Sequence, residues 1–200
     1  MSDNVSNTSH DVLIIGAGLA GLTLARQLLD ADPALDICLV HNRRFPNPER
    51  IHKVGESTVE IGAFYLAEIV GCAAHLQTEH LRKMGLRFIQ TQGTTQEDPY
   101  REIGLSYYPY QATYQIDRGK LENHIRNTLG ASVTLIENGR VLDFDRNDGV
   151  STVSIRDHDG AISTRSTLGC RCVRSRSRAD EKIRFAEKRE YQPLGSLVSR

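Results

Sequence analysis

Three glycines at positions 16, 18 and 21 are the residues whose type and spacing most directly imply chemistry. In Gly16-Ala17-Gly18-Leu19-Ala20-Gly21 the first glycine permits a tight turn and the second lets a ligand approach bare backbone. The third lets a helix pack closely on a strand. The chemistry this serves is anion binding, because a helix starting at such a turn aims its unpaired N–H groups and positive dipole end at a diphosphate. Gly16, Ala17, Gly18 and Gly21 are therefore candidate cofactor contacts. His41 stands where an Asp or Glu, about twenty residues on, usually accepts the ribose hydroxyls. Imidazole can still hydrogen-bond a hydroxyl, and the Arg43-Arg44 pair that follows leaves a 2′-phosphate, hence NADP, as an alternative. Cysteine adds little: Cys38 and Cys72 read as reduced, packed thiols. Cys170 and Cys172 lack the two-residue gap of a zinc or redox half-site, so no metal is expected.

A glycine turn of this kind works only between a strand and a helix, and the flanking residues supply both. Asp11-Val-Leu-Ile-Ile15 is a short, β-branched run that reads as a buried strand. Leu22–Leu29 continues at helical period with strong helix formers, and Asp30-Ala-Asp-Pro33 stops it. Leu35–Val40 is the second strand. The fold class is α/β, a Rossmann-like βαβ unit that binds a dinucleotide.

The chain has 200 residues, which suggests one domain or slightly more. Hydrophobic residues at 39% and charged residues at 25% exclude a disordered chain, a coiled coil and a collagen-like repeat. No apolar run reaches the roughly eighteen residues of a membrane span. The first eleven residues have neither a basic region nor an apolar one, so no secretory signal and a cytoplasmic location are expected. The formal net charge of zero is a cancellation: residues 1–164 hold 15 Lys and Arg against 21 Asp and Glu, residues 165–200 hold 10 against 4.

From Arg43 onward the sequence resembles the flavin-dependent halogenases of the tryptophan type, within the FAD-dependent monooxygenases and geranylgeranyl-reductase-like oxidoreductases. The matching stretches are RRFP at 43–46, KVGEST at 53–58, LRKMGLRF at 81–88 and YQIDRGKLENHI at 114–125. The resemblance implies FAD as cofactor. It places Gly55, Glu56, Ser57 and Thr58 in a loop near the flavin, Arg118 near FAD and the Val141 backbone at the adenine edge. On residue type alone, the same Gly-Glu-Ser-Thr reads as a polar turn capping a helix over Val59–Ile69. Lys83 falls on the family's catalytic lysine, which captures or positions hypohalous acid. An ammonium suits that role because it donates to the oxidant. The tryptophan-containing halogenase motif is missing, since the chain has no Trp.

Further elements follow. Met84–Gln90 and the tyrosine-rich Leu105–Ile116 read as strands of an inserted, β-rich substrate-domain segment, with a polar loop over Gln92–Asp98. The tyrosines could line an aromatic pocket or simply pack a strand. Asp117 is a helix cap for a helix whose apolar face includes Leu121, Ile125 and Leu129. Ser132–Ile136 and Arg140–Asp145 are strands, and Thr152–Arg156 and Ile162–Thr167 form a hairpin about Asp157-His-Asp-Gly160. The expected organisation is an FAD-binding domain over 1–82 and 115–167, the start of a substrate-domain sheet over 83–114, and a poorly ordered basic tail over 168–200.

The resemblance breaks at that tail. Leu168-Gly-Cys-Arg-Cys-Val-Arg-Ser175 stands where the family continues with an apolar strand and a glycine turn. One permitted coding of these residues, read one base on, gives Trp-Val-Val-Asp-Ala-Ser-Gly, so a frame shift or truncation is expected near residue 167. A polyanion-binding appendage is the alternative, and the lack of interleaved aromatics disfavours nucleic acid. With the shell over the flavin ring absent, the isolated chain is expected to bind FAD weakly or not at all.

The functional expectation is an FAD-dependent, monooxygenase- or halogenase-like oxidoreductase using reduced flavin and O2 on a small organic substrate, aromatic compounds included. A separate flavin reductase is a candidate partner, and no membrane partner is expected. The alternatives are a nonhalogenating reductase and a noncatalytic nucleotide-binding fragment.

Overall fold

The computed structural model describes residues 7–49, 51, 53, 55–91, 100–104, 106–107, 110–148, 150–157, 159–168 and 172–174. Strands β1 (Asn7–His10) and β2 (Val12–Ile15), helix α1 (Leu19–Ala31) and strand β3 (Ile37–Val40) open the fold. Helix α2 (Glu60–Phe64) runs into a π-turn over Tyr65–Ile69, and α3 (Ala73–Glu79) follows. Next come β4 (Leu81–Lys83), β5 (Arg87–Thr91), β6 (Tyr100–Gly104) and β7 (Thr113–Gln115). Helix α4 (Arg118–Thr128) leads through a 3-10 turn to β8 (Val133–Ile136). Strands β9 (Arg140–Asn147), β10 (Val150–Arg156), β11 (Ile162–Leu168) and β12 (Cys172–Arg174) complete it.

One sheet is parallel, in the order β12-β2-β3-β8. A second has the order β1-β11-β10-β9, with β9, β10 and β11 antiparallel and β1 added parallel to β11, and β4-β7 and β5-β6 form two further antiparallel pairs. The continuous apolar character of β2 and β3 reflects burial on both faces. Val12, Ile14, Ile37 and Leu39 face α1 and α4, where they meet Leu22, Ala25, Leu121 and Ile125. Their neighbours Leu13, Cys38 and Val40 face the second sheet and meet Val153 and Ile155. Strand alternation thus sorts each side chain to one of two cores. Burial of Cys38 pushes its thiol up to about 12, and Cys72 is also raised by burial, so both behave as packing groups.

The helix cap at Asp117 is as read from the sequence: its carboxylate accepts from the Gly119 and Lys120 amides at 2.9 and 3.2 Å. Leu121, Ile125 and Leu129 are buried. Several expectations need correction. Gly55–Thr58 does not cap the next helix: the cap position is Val59, with no side-chain bond. Thr58 instead pairs with Tyr114, its hydroxyl donating to the Tyr114 carbonyl at 3.0 Å and accepting from its amide at 2.7 Å. The strand read over Met84–Gln90 starts at Arg87, because Gly85 has φ +130° and breaks the extended run. Of the strand read over Leu105–Ile116, the described residues form strand only at Thr113–Gln115. Its tyrosines do not share an environment, since Tyr107 and Tyr110 are exposed whereas Tyr114 is buried. The expected loop at 92–98 and most of the basic tail lie outside the described residues.

Candidate functional site: the glycine turn and a buried carboxylate

The glycine turn joins β2 to α1. Gly16 has φ +103°, a conformation that favours glycine, and donates its N–H to the Val40 carbonyl at 2.7 Å. A Cβ at Gly21 would lie 1.9 Å from the Gly16 carbonyl oxygen and 3.3 Å from Ile14 Cγ2, so helix and turn touch there without room for a methyl group. A Cβ at Gly18 would meet nothing within 4 Å. Its face of the turn is open, as a backbone surface that receives a ligand must be. Ala17, between them, is buried beneath the turn.

Helix α1 begins without a side-chain cap, and its Leu19 N–H donates to Glu122 Oε1 at 3.2 Å. Glu122 lies on α4 and is wholly buried. Arg118, one turn earlier, donates to the same oxygen through Nε at 3.1 Å and Nη2 at 2.7 Å. Lys53 Nζ and Asn47 Nδ2 donate to Oε2, the latter at 2.9 Å. Two cations therefore share one carboxylate at the positive end of α1, leaving a net positive charge there. A buried carboxylate is tolerated only when its lone pairs are met this fully, and stripping one partner from such a pair costs about 3–5 kcal/mol.

His41 follows β3 and is half-buried; its amide donates to Ile136 and its carbonyl accepts from Gly139, both at 2.8 Å. Burial chiefly lowers its pKa, with Glu122 opposing and Lys53 and Arg43 reinforcing the shift. The imidazole is therefore neutral near pH 7, with one ring nitrogen to donate and one to accept.

Gly55, at φ +87°, brings the 55–58 loop beside Arg118: a Cβ there would sit 3.9 Å from Arg118 Nη1. The Glu56 carbonyl accepts from Ile116 N at 2.7 Å, and its carboxylate accepts from Lys53 N at 3.2 Å. Lys83, at the end of β4, donates to Ser57 Oγ at 2.8 Å and to the Thr58 carbonyl at 2.7 Å. The loop and the lysine, 25 residues apart at Thr58, meet because β4 pairs with β7 and Ser57 bridges to Gln115 on that same strand. A cavity of about 370 Å³ is bordered by Glu56, His80, Asp117 and Lys120.

Comparison with known proteins shows what the chain is similar to. The family model for lycopene cyclase protein matches residues 11–91, which contain the glycine turn and Lys83. The flavin-dependent halogenase chlA of Dictyostelium discoideum is 32% identical over 165 residues, 78% of this chain and 27% of the halogenase. Over those residues the chain is a homologue of this flavin-dependent halogenase. It spans about a quarter of that curated relative, 27%. Solved structures carry the same fold. The myxobacterial chondrochloren halogenase CndH superimposes with TM-score 0.68 at 19% identity, covering 86% of this chain and 38% of that one. The p-nitrophenol 4-monooxygenase PnpA of Pseudomonas putida gives 0.66 at 14% identity, covering 90% and 43%.

The residues at this locus fit FAD, the cofactor of these relatives. The Gly18 face leaves the cradle open, and the Arg118, Lys53 and helix-terminal charges suit a diphosphate. Gly16, Gly18, Gly21, His41 and Arg118 converge on this one locus. Glu56, Ser57, Thr58 and Lys83 form the adjoining cluster. Val141 pairs with Ile155 on β10 and packs against the inter-sheet core, two residues after Gly139, whose amide donates to the His41 carbonyl. Sequence reasoning did not find Glu122, Lys53 or Asn47. The signal for Glu122 was present: an acid adjoining Leu121 in the buried stripe of α4, one turn after Arg118.

Proposed function

We propose that this chain carries the dinucleotide-binding part of an FAD-dependent oxidoreductase of the monooxygenase and halogenase type. The observation that carries the reading is the open glycine turn facing two cations at the N-terminus of α1. There the diphosphate is held by first-turn amides, Arg118 and Lys53, while neutral His41 hydrogen-bonds a ribose hydroxyl. When bound there, FAD would supply the redox chemistry, with O2 as co-substrate and a small organic molecule as acceptor.

Lys83 is the candidate catalytic residue. Its ammonium is fixed by Ser57 and the Thr58 carbonyl, which spend two of its three N–H bonds and leave one to aim at an oxidant. Val141 is retained as a backbone contact for the adenine edge, and the 83–114 segment as the beginning of the substrate side. A separate flavin reductase is the partner that fits a chain supplied with reduced flavin. The match to the lycopene cyclase family model favours a nonhalogenating flavoprotein as the second reading.

The test supplies the chain with excess FAD, a flavin reductase, NADH, halide and a panel of phenols and indoles, with product analysis by mass spectrometry. A halogenated product that falls at least tenfold in Lys83→Met supports the first reading. An oxygenated or reduced product insensitive to halide supports the second, and a glycine turn whose amides do not respond to FAD or ADP overturns both.

A further inference from the structure

Glu122 is the side chain around which the cofactor locus is assembled, although it belongs to no part of the glycine fingerprint. It is wholly buried, whereas a Cβ at Gly18 would meet nothing within 4 Å. Each of its oxygens is committed to a different cation, Oε1 to Arg118 and Oε2 to Lys53. The Leu19 amide on Oε1 ties the same carboxylate to the first turn of α1. Arg118 and Lys53 are long, flexible and alike in charge. Without an anion between them they would repel each other and extend into solvent.

The scaffold around Glu122 is built for close approach. Asn47 donates to Oε2 and clasps α4 through Asn123, its amide donating to Asn123 Oδ1 at 2.7 Å and its carbonyl accepting from Asn123 Nδ2 at 2.8 Å. Gly119 lets this loop lie directly on α4, since a Cβ there would fall 2.2 Å from the Pro48 carbonyl oxygen. Four stretches of chain, at residues 19, 47, 53 and 118, are thereby fixed to one carboxylate.

We propose that Glu122 is a positioning residue for the cofactor: it holds the Arg118 guanidinium and the Lys53 ammonium together at the N-terminus of α1, facing the diphosphate. The proposal rests on the reading of this turn as the FAD site. It goes further by assigning the diphosphate's affinity to a residue that never touches it.

The experiment measures dissociation constants of the full chain for ADP and for adenosine by calorimetry or NMR titration. Their ratio isolates the diphosphate contribution, which a merely structural role would leave alone. In the wild-type chain ADP binds more tightly than adenosine. In Glu122→Gln, with folding checked by circular dichroism, the ratio falls about tenfold while adenosine affinity stays the same, the loss expected when a charge-assisted bond is mis-set. Glu122→Asp keeps the charge but is one methylene too short to serve both cations, and it gives a smaller fall in the same direction. A folded variant whose ratio is unchanged overturns the proposal, and so does a higher ratio, which would mark the carboxylate as a repellent neighbour. A wild-type chain that does not prefer ADP overturns the FAD reading itself, so the two failures are distinguishable.

Discussion

The two glycines that frame the start of α1 do different work, and exchanging each for alanine separates folding from binding. In Gly21→Ala the new Cβ would stand 1.9 Å from the Gly16 carbonyl oxygen and 3.1 Å from its carbon. Both atoms are backbone, so the helix must move by about an ångström, and overpacking of this kind costs about 3 kcal/mol. Alanine returns about 1 kcal/mol through helix propensity, leaving a net loss of about 2 kcal/mol. In Gly18→Ala nothing lies within 4 Å of the added carbon, and φ is −80°. The penalty is only the poorer N-cap, under about 1 kcal/mol. The same methyl group occupies the face over which a diphosphate must pass, so ADP affinity falls at least about tenfold, or 1.4 kcal/mol. Urea unfolding followed by circular dichroism measures the first quantity, and calorimetric titration with ADP the second. The reasoning is refuted if Gly18→Ala loses as much stability as Gly21→Ala, or if it keeps wild-type ADP affinity.

Two further perturbations follow from the geometry. Asp117→Ala removes the acceptor of the Gly119 and Lys120 amides and lowers stability by about 1 kcal/mol, read as a shift of the urea midpoint at constant m-value. His75, stacked on His124 at 3.9 Å and edge-on to His80 at 5.1 Å, is lowered to about 4, chiefly by burial, with His124 and His80 adding to the shift. His80 and His124 are lowered by burial as well. Glu79, Asp117 and Lys120 are the other charged groups facing this trio. Since the unfolded chain binds these protons first, the trio's stabilising contribution is full above about pH 6.5 and is lost as pH falls toward 4. Discounted for solvent access, His75 accounts for about 1–2 kcal/mol of that loss. Urea midpoints at pH 7 and pH 4.5 measure it, and a His75→Gln chain that loses stability as steeply as the wild type would contradict the assignment.

The parts of the fold read correctly from sequence were those governed by local chemistry. Val12–Ile15, the glycine turn, the apolar period of α1 and the Asp117 cap each follow from residue type over a few positions. The readings that failed depended on distant partners. Thr58 has the chemistry of a helix cap, yet Tyr114 brings a neighbouring strand within reach and takes its hydroxyl. Among the described residues of the long tyrosine strand, only Thr113–Gln115 finds β4 to pair with. In the site, Gly16, Gly18 and Gly21 were legible because their roles are set within six residues. Lys53 and Asn47 were not, because their role exists only through Glu122, 69 and 75 residues away. The Lys83 contact with the 55–58 loop is likewise nonlocal, and it was reached through family resemblance rather than through spacing.

The central claim is that the N-terminus of α1, with Arg118 and Lys53 held on Glu122, receives FAD. Its most direct test is a titration of the isotopically labelled chain with FAD, followed amide by amide in NMR spectra. The account predicts saturable shifts concentrated at Gly16–Gly21, His41, Lys53 and Arg118, with smaller ones over Gly55–Thr58 and Lys83. No saturable shift at millimolar FAD, or shifts centred on the β5–β6 hairpin with the glycine turn unmoved, would contradict it.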